Sequence, residues 1–141
     1  MRGGFFHNDV LVRRLQQVAE ECGASVRTEA PVRIDGTVSY IDLVVEKDGQ
    51  LTVCEVEQAW HRVQNDRRKA VALGAGLLLI ATPDAPTAHA CRSQLRRHPC
   101  PDAQIKVIVC PLGAALEMLR QSLNAQHAQP ARGTPNQRKE S

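Results

Sequence analysis

Apolar residues recur at helical spacing in Leu11, Leu15, Val18 and Cys22, and Gly23 ends the run. Asn8 stands where an N-cap is expected, so the pattern predicts a first helix from about Asn8. The period then changes to two. Ser25 to Ile34 alternates, Asp35-Gly36 interrupts, Thr37 to Glu46 alternates again, Asp48-Gly49 interrupts again, and Leu51 to Glu57 forms a third run. Asp-Gly between alternating runs signals a hairpin, because a tight turn needs positive φ at both central positions. Pro31 fits an edge strand, where a missing N–H donor is tolerated.

A helical period returns from Ala59 to Leu73, and Gly74 suits its C-terminal end. Leu77 to Thr82 is a short continuous apolar run, which predicts a buried strand parallel to its predecessor. Thr82 to Pro86 reads as a loop, Thr87 to Arg97 as a third helix and Gln104 to Cys110 as a last strand. Pro111 then opens a final helix to about Asn124. The expectation is an α/β fold with a mixed sheet flanked by helices, in one domain over 1–124. From 125 to 141 the chain turns to Gln, Pro, Gly, Arg and Lys with no large apolar side chain beyond the helix, and a disordered basic tail is predicted.

Turn length sets strand register. With two-residue turns, Asp42 lies opposite Glu55, Tyr40 opposite Glu57 and Glu29 opposite Asp42. Alternation then puts Val26, Ala30, Val32, Ile34, Ile41, Leu43, Val45, Cys54 and Val56 on one face. Arg27, Glu29, Arg33, Tyr40, Asp42, Glu55 and Glu57 fall on the other. Opposed side chains have Cβ atoms about 4.5–5.5 Å apart, so Asp42, Glu55 and Glu57 crowd one patch. Like charges at that range raise a carboxylate pKa. A bound Mg²⁺ (or Mn²⁺) would relieve the repulsion, since it takes oxygen ligands. The competing expectation is three solvated acids, or acids paired with Arg27, Arg33 or Arg62.

Composition narrows the field. Of the 141 residues, 18 are Lys or Arg and 15 are Asp or Glu, a net charge of +3 that permits a polyanionic partner without requiring one. No apolar run reaches the roughly 18 residues of a membrane span, so no membrane role is expected. The first residues lack a signal-peptide core, and five scattered cysteines fit free thiols in the cytoplasm. Aromatic residues are Phe5, Phe6, Tyr40 and Trp60, too few to expect a single-strand binder that stacks bases on an aromatic platform, and Trp60 is expected as a core or helix-entry anchor rather than a base-stacking residue. There is no phosphate-binding G-x-x-x-x-G-K-[ST] loop and no G-x-S-x-G turn. His89, Cys91, His98 and Cys100 are zinc-type ligands at spacings unlike a zinc knuckle.

The helix, three-strand meander, helix, strand order, with Asp42 on the second strand and Glu55-Val56-Glu57 on the third, resembles the PD-(D/E)xK nuclease superfamily. The resemblance covers roughly Asn8 to Thr82. It implies a restriction-endonuclease-like αβββαβ core with a C-terminal αβα extension. It further implies a metal-dependent endonuclease acting on DNA, with Asp42, Glu55 and Glu57 as catalytic and Mg²⁺ ligands. Ile41 replaces the family's proline, and Glu57 replaces its lysine, as in similar E-x-E enzymes. In other similar enzymes the lysine migrates to the following helix, where Lys69 is the candidate, about three turns in. A first-helix acid sometimes joins such sites, and Glu20 and Glu21 are the candidates here. Gln58 is expected on the opposite face by alternation. Arg62, Arg67, Arg68 and Lys69, beside His61 and Asn65, are candidate phosphate contacts or simply a solvated helix face. Arg92, Arg96, Arg97 and the tail residues Arg132, Arg138 and Lys139 would add non-specific DNA affinity. The alternative is a catalytically inactive nuclease-like module for DNA binding or protein assembly in a defence or mobile-element system. A homodimer or a larger complex with partner proteins suits either.

Overall fold

The computed structural model of the chain describes residues 3–100 and 105–127. The order is α1 (Gly3–Glu21), β1 (Ser25–Ile34), β2 (Thr37–Lys47), β3 (Gln50–Val56), α2 (Val63–Leu73), β4 (Leu77–Thr82), α3 (Ala85–Arg97), β5 (Lys106–Pro111) and α4 (Leu112–His127). A single 3-10 turn, Trp60–Arg62, leads into α2. The strands form one mixed sheet in sequence order, with β1–β2–β3 antiparallel and β3–β4–β5 parallel. The start of the last predicted strand at Gln104 and the predicted tail beyond His127 lie outside the described residues.

Both hairpins follow the expected turns. Asp35 and Gly36 have φ of 52° and 79°, and Asp48 and Gly49 have 54° and 78°, the positive pair that a two-residue turn needs. The registers Ile34↔Thr37 and Lys47↔Gln50 follow from them. Some element ends differ. α1 starts at Gly3, so Asn8 lies inside the helix, as no proline interrupts residues 3–8. α3 begins earlier than Thr87, because Asp84 is its cap: the Thr87 N–H donates to Asp84 Oδ1 at 2.8 Å, and Pro86 fits the first turn. Pro111 closes β5 rather than opening α4.

The sheet is covered on both faces. Leu11, Leu15, Val18 and Ala19 of α1, with Ala115, Leu119 and Leu123 of α4, pack on Leu43, Val45, Cys54, Val56 and Leu79. Val63 and Ala70 of α2, with Ala88 and Cys91 of α3, pack on Val44, Val53, Leu78 and Ile80. All six residues of β4 are buried, as a strand covered on both sides should be. This corrects the expected division into one apolar and one polar face. Ala30, Val32 and Ile41 also join the α2 side, opposite Leu43 and Val45. The switch falls at Glu29 and Asp42. Glu29 has φ of 49°, and it drops out of a ladder that pairs Thr28↔Leu43 and Ala30↔Ile41 on either side. Beyond that kink the far half of the hairpin wraps toward α2.

Candidate active site

Asp42 and Glu55 stand where β2 and β3 part. The β2–β3 ladder ends at Leu43↔Cys54. One step further the register is the expected one, but side chains have replaced the backbone bonds. The Val56 N–H donates to Asp42 Oδ2 at 2.8 Å, and the Asp42 N–H donates to Glu55 Oε1 at 3.3 Å. Beyond this crossing the strands diverge, so Tyr40 does not face Glu57 as expected. Tyr40 pairs with Pro31, and the Glu57 N–H bonds the Ala81 carbonyl at 2.8 Å. Glu57 Oε2 accepts the Ala59 N–H at 3.0 Å, which fixes its carboxylate at the start of the 3-10 turn.

The helix after the turn completes the cluster. Lys69 Nζ lies 2.9 Å from Glu55 Oε2, 2.8 Å from the Tyr40 carbonyl and 3.8 Å from Asp66 Oδ1. The lysine's distance along α2 is offset by the wrapped hairpin, which carries Tyr40 over the helix. Glu55, Glu57, Asp66 and Lys69 are only 3%, 7%, 4% and 9% exposed, which rules out a solvated acidic face. Among the described residues Lys69 is the only cation within ion-pair distance of any of the four carboxylates.

Charge is therefore unbalanced in a buried place. Burial first, then the Asp42 carboxylate, pushes Glu55 up to about 8, with Lys69 pulling the other way. Burial, then a hydrogen bond with the Glu57 carboxyl, pushes Asp66 up to about 10. Two carboxyls can share a hydrogen bond only while one carries the proton. For Lys69 burial works to lower the pKa, but Glu55 beside it, then Asp66 and Asp42, outweigh burial and raise it. Asp66 Oδ2 is buried and accepts no hydrogen bond, while the buried Glu55 Oε2 has only the Lys69 ammonium beside it. The site thus holds protons or attracts a cation at neutral pH.

The carboxylates open onto a depression of about 760 Å³ between α1 and the 3-10 turn. Asp9, Arg13 and Gln16 border it on one side, Gln58 and Arg62 on the other, with Glu29 and Tyr40 at the hairpin kink. Several expected residues are elsewhere. Glu20 accepts from the rim residue Gln16 at 3.5 Å and Glu21 pairs with Arg120 of α4, but neither lines the depression. Arg67 donates to the His98 carbonyl, and Arg68 bridges Asp35 at 2.6 Å, which turns both away from the depression. Of the four predicted phosphate contacts, Arg62 stands at the rim and Lys69 within. Gln58 borders the depression rather than facing away, since the chain leaves the strand before it. Trp60 is 48% exposed and opens the 3-10 turn, so it stands at the helix entry and not in the core. Cys91 is fully buried in the core, and burial pushes its thiol up to about 11, as suits a packing residue.

Asp66 is the functional candidate that sequence reasoning missed. Its signal was a carboxylate on the core-facing stripe of α2, between Val63 and Ala70. Arg13 and Gln16 likewise follow a helical period along the polar side of α1.

No family model and no curated protein matches this chain. It is similar in fold to a crystal structure titled as a protein of unknown function, AF1548, with a TM-score of 0.54 and 14% identity. The match covers 81% of this chain, which spans 66% of the length of that one.

Proposed function

We propose that this protein is a metal-dependent endonuclease that hydrolyses phosphodiester bonds in DNA, with a restriction-endonuclease-like core. One observation carries the reading. Lys69 delivers from α2 the ammonium that Glu57 withholds from the third strand, and sets it 2.9 Å from Glu55 at the strand fork. Structural stability alone gives no reason to collect Asp42, Glu55, Glu57 and Asp66 around a single cation.

The donor set suits Mg²⁺ or Mn²⁺. Glu55 Oε2 is buried with the Lys69 ammonium beside it, and the buried Asp66 Oδ2 accepts no hydrogen bond. As posed, no three His, Cys, Asp or Glu side chains among the described residues form a ready cation cage. Mg²⁺ needs none, because it binds through one or two carboxylates plus water and phosphate oxygens. Asp42 and Glu55 would hold the ion, with Glu57 as a third oxygen donor. When bound, the ion supplies Lewis acidity to the scissile phosphate and lowers the pKa of a water. Lys69 places positive charge where the phosphoryl oxygens gain negative charge. Glu57, held by the Ala59 N–H, is the candidate to take the proton of the attacking water. Arg62 and Arg13, which both line the depression, would hold flanking phosphates.

The test is cleavage of supercoiled, linear and branched DNA by wild type and Asp42→Ala in Mg²⁺, Mn²⁺ or EDTA. Metal-dependent cutting that disappears in the variant is the expected result. Cutting that survives in the variant would place the site elsewhere. No cutting by either protein would refute the nuclease reading.

A further inference from the structure

We infer that the strand taken by this site is unpaired, single-stranded DNA at the scissile position, with Tyr40 stacking on the neighbouring base. The inference rests on the nuclease reading and adds its substrate class.

Tyr40 is 61% exposed. It borders the depression and lies two residues before Asp42, about 7 Å along the strand. Its backbone is not free to drift. Lys69 Nζ, the cation of the site, donates to the Tyr40 carbonyl at 2.8 Å, and Pro31 is its cross-strand partner. The fold therefore fixes the backbone that carries an exposed aromatic ring, one short step from the carboxylates. Cores hide such rings, and stability gives no reason for this placement.

A ring beside the scissile phosphate has little to grip in a duplex, where bases stack on each other and present only their edges in the grooves. An unpaired strand offers base faces, and stacking on them is indifferent to sequence. Arg13 of α1 and Arg62 of the 3-10 turn both line the depression and supply cations for a strand's phosphates. Arg13 is held in place by Asp9 at 2.7 Å. One exposed ring is no extended platform, but it suffices for the one base next to the cut.

The experiment is fluorescence anisotropy of a labelled oligodeoxynucleotide, single-stranded or annealed to its complement, with Ca²⁺ as the divalent ion. Wild type should prefer the single strand by tenfold or more. Tyr40→Ala should weaken single-strand binding by roughly 5- to 150-fold, the range for loss of one base–aromatic stack. Tyr40→Phe should restore it, and the salt dependence of Tyr40→Ala binding should match wild type, since no charge is lost. Equal affinity for duplex and single strand, or an unchanged Tyr40→Ala, would overturn the inference. A parallel digestion in Mg²⁺ separates the two levels. Metal-dependent cutting of duplex and single strand at equal rates refutes the substrate class alone, whereas stacking-dependent binding without any cutting refutes the nuclease reading alone.

Discussion

Replacing Asp66 by Asn should stabilise the metal-free protein. The side chain is 4% exposed, and its Oδ2 has no hydrogen-bond donor. Burial first, then the Glu57 and Glu55 carboxyls, raises its pKa from 3.8 to about 10. Because the folded value is raised, Asp66 favours folding fully below pH 3.8, and that contribution is lost as pH rises toward 10. At pH 7 the unfolded chain ionises this group freely while the folded chain does not, a difference of about 4 kcal/mol. Asparagine keeps the shape and removes the penalty, and its amide can donate to Glu57. It also gives up the attraction of Lys69, 3.8 Å away. A net gain of about 1–3 kcal/mol at pH 7 follows, or roughly 2–10 °C in Tm for a chain of this size. Thermal unfolding in EDTA from pH 5 to 9 is the assay, and the gap between variant and wild type should widen with pH. Mg²⁺ should narrow the gap by stabilising wild type more. A gap independent of pH, or a variant less stable at pH 8, would refute the buried-charge argument.

Two further substitutions test other parts of the argument. Lys69→Met should slow metal-dependent cleavage by roughly 10²–10³-fold, as loss of one charge-stabilising donor does. It should also shift the rate profile to higher pH, because Lys69 is what holds the Glu55 pKa down; initial rates across pH read both effects. Gly74→Ala should cost about 1 kcal/mol in urea unfolding, from backbone strain alone. Gly74 has φ of 84° at the end of α2, and nothing lies within 4 Å of an added Cβ.

The nearest-neighbour features were legible in the sequence because they depend on local chemistry. Asp35-Gly36 and Asp48-Gly49 dictate two-residue turns, the turns dictate register, and register brings Asp42 beside Glu55. Gly74 marks the end of α2, and the apolar run of β4 marks its burial on both faces. The E-x-E spacing on the third strand was likewise readable before any coordinates.

Tertiary structure decided what local rules cannot reach. Period-two alternation assumes a flat strand, yet the left-handed residue Glu29 kinks the hairpin and turns Ile41 toward α2. That kink brings the Tyr40 carbonyl to Lys69, which lies about two turns into α2 and is a neighbour of Glu55. Packing against α2 and α3 buried the carboxylates, so a patch that alternation would leave wet became a low-dielectric cluster with raised pKa values. Sequence fixes which residues alternate and where turns fall, because those are interactions between residues a few positions apart. Which helix covers the alternating face, and which charges it carries there, is settled only when distant segments share one core.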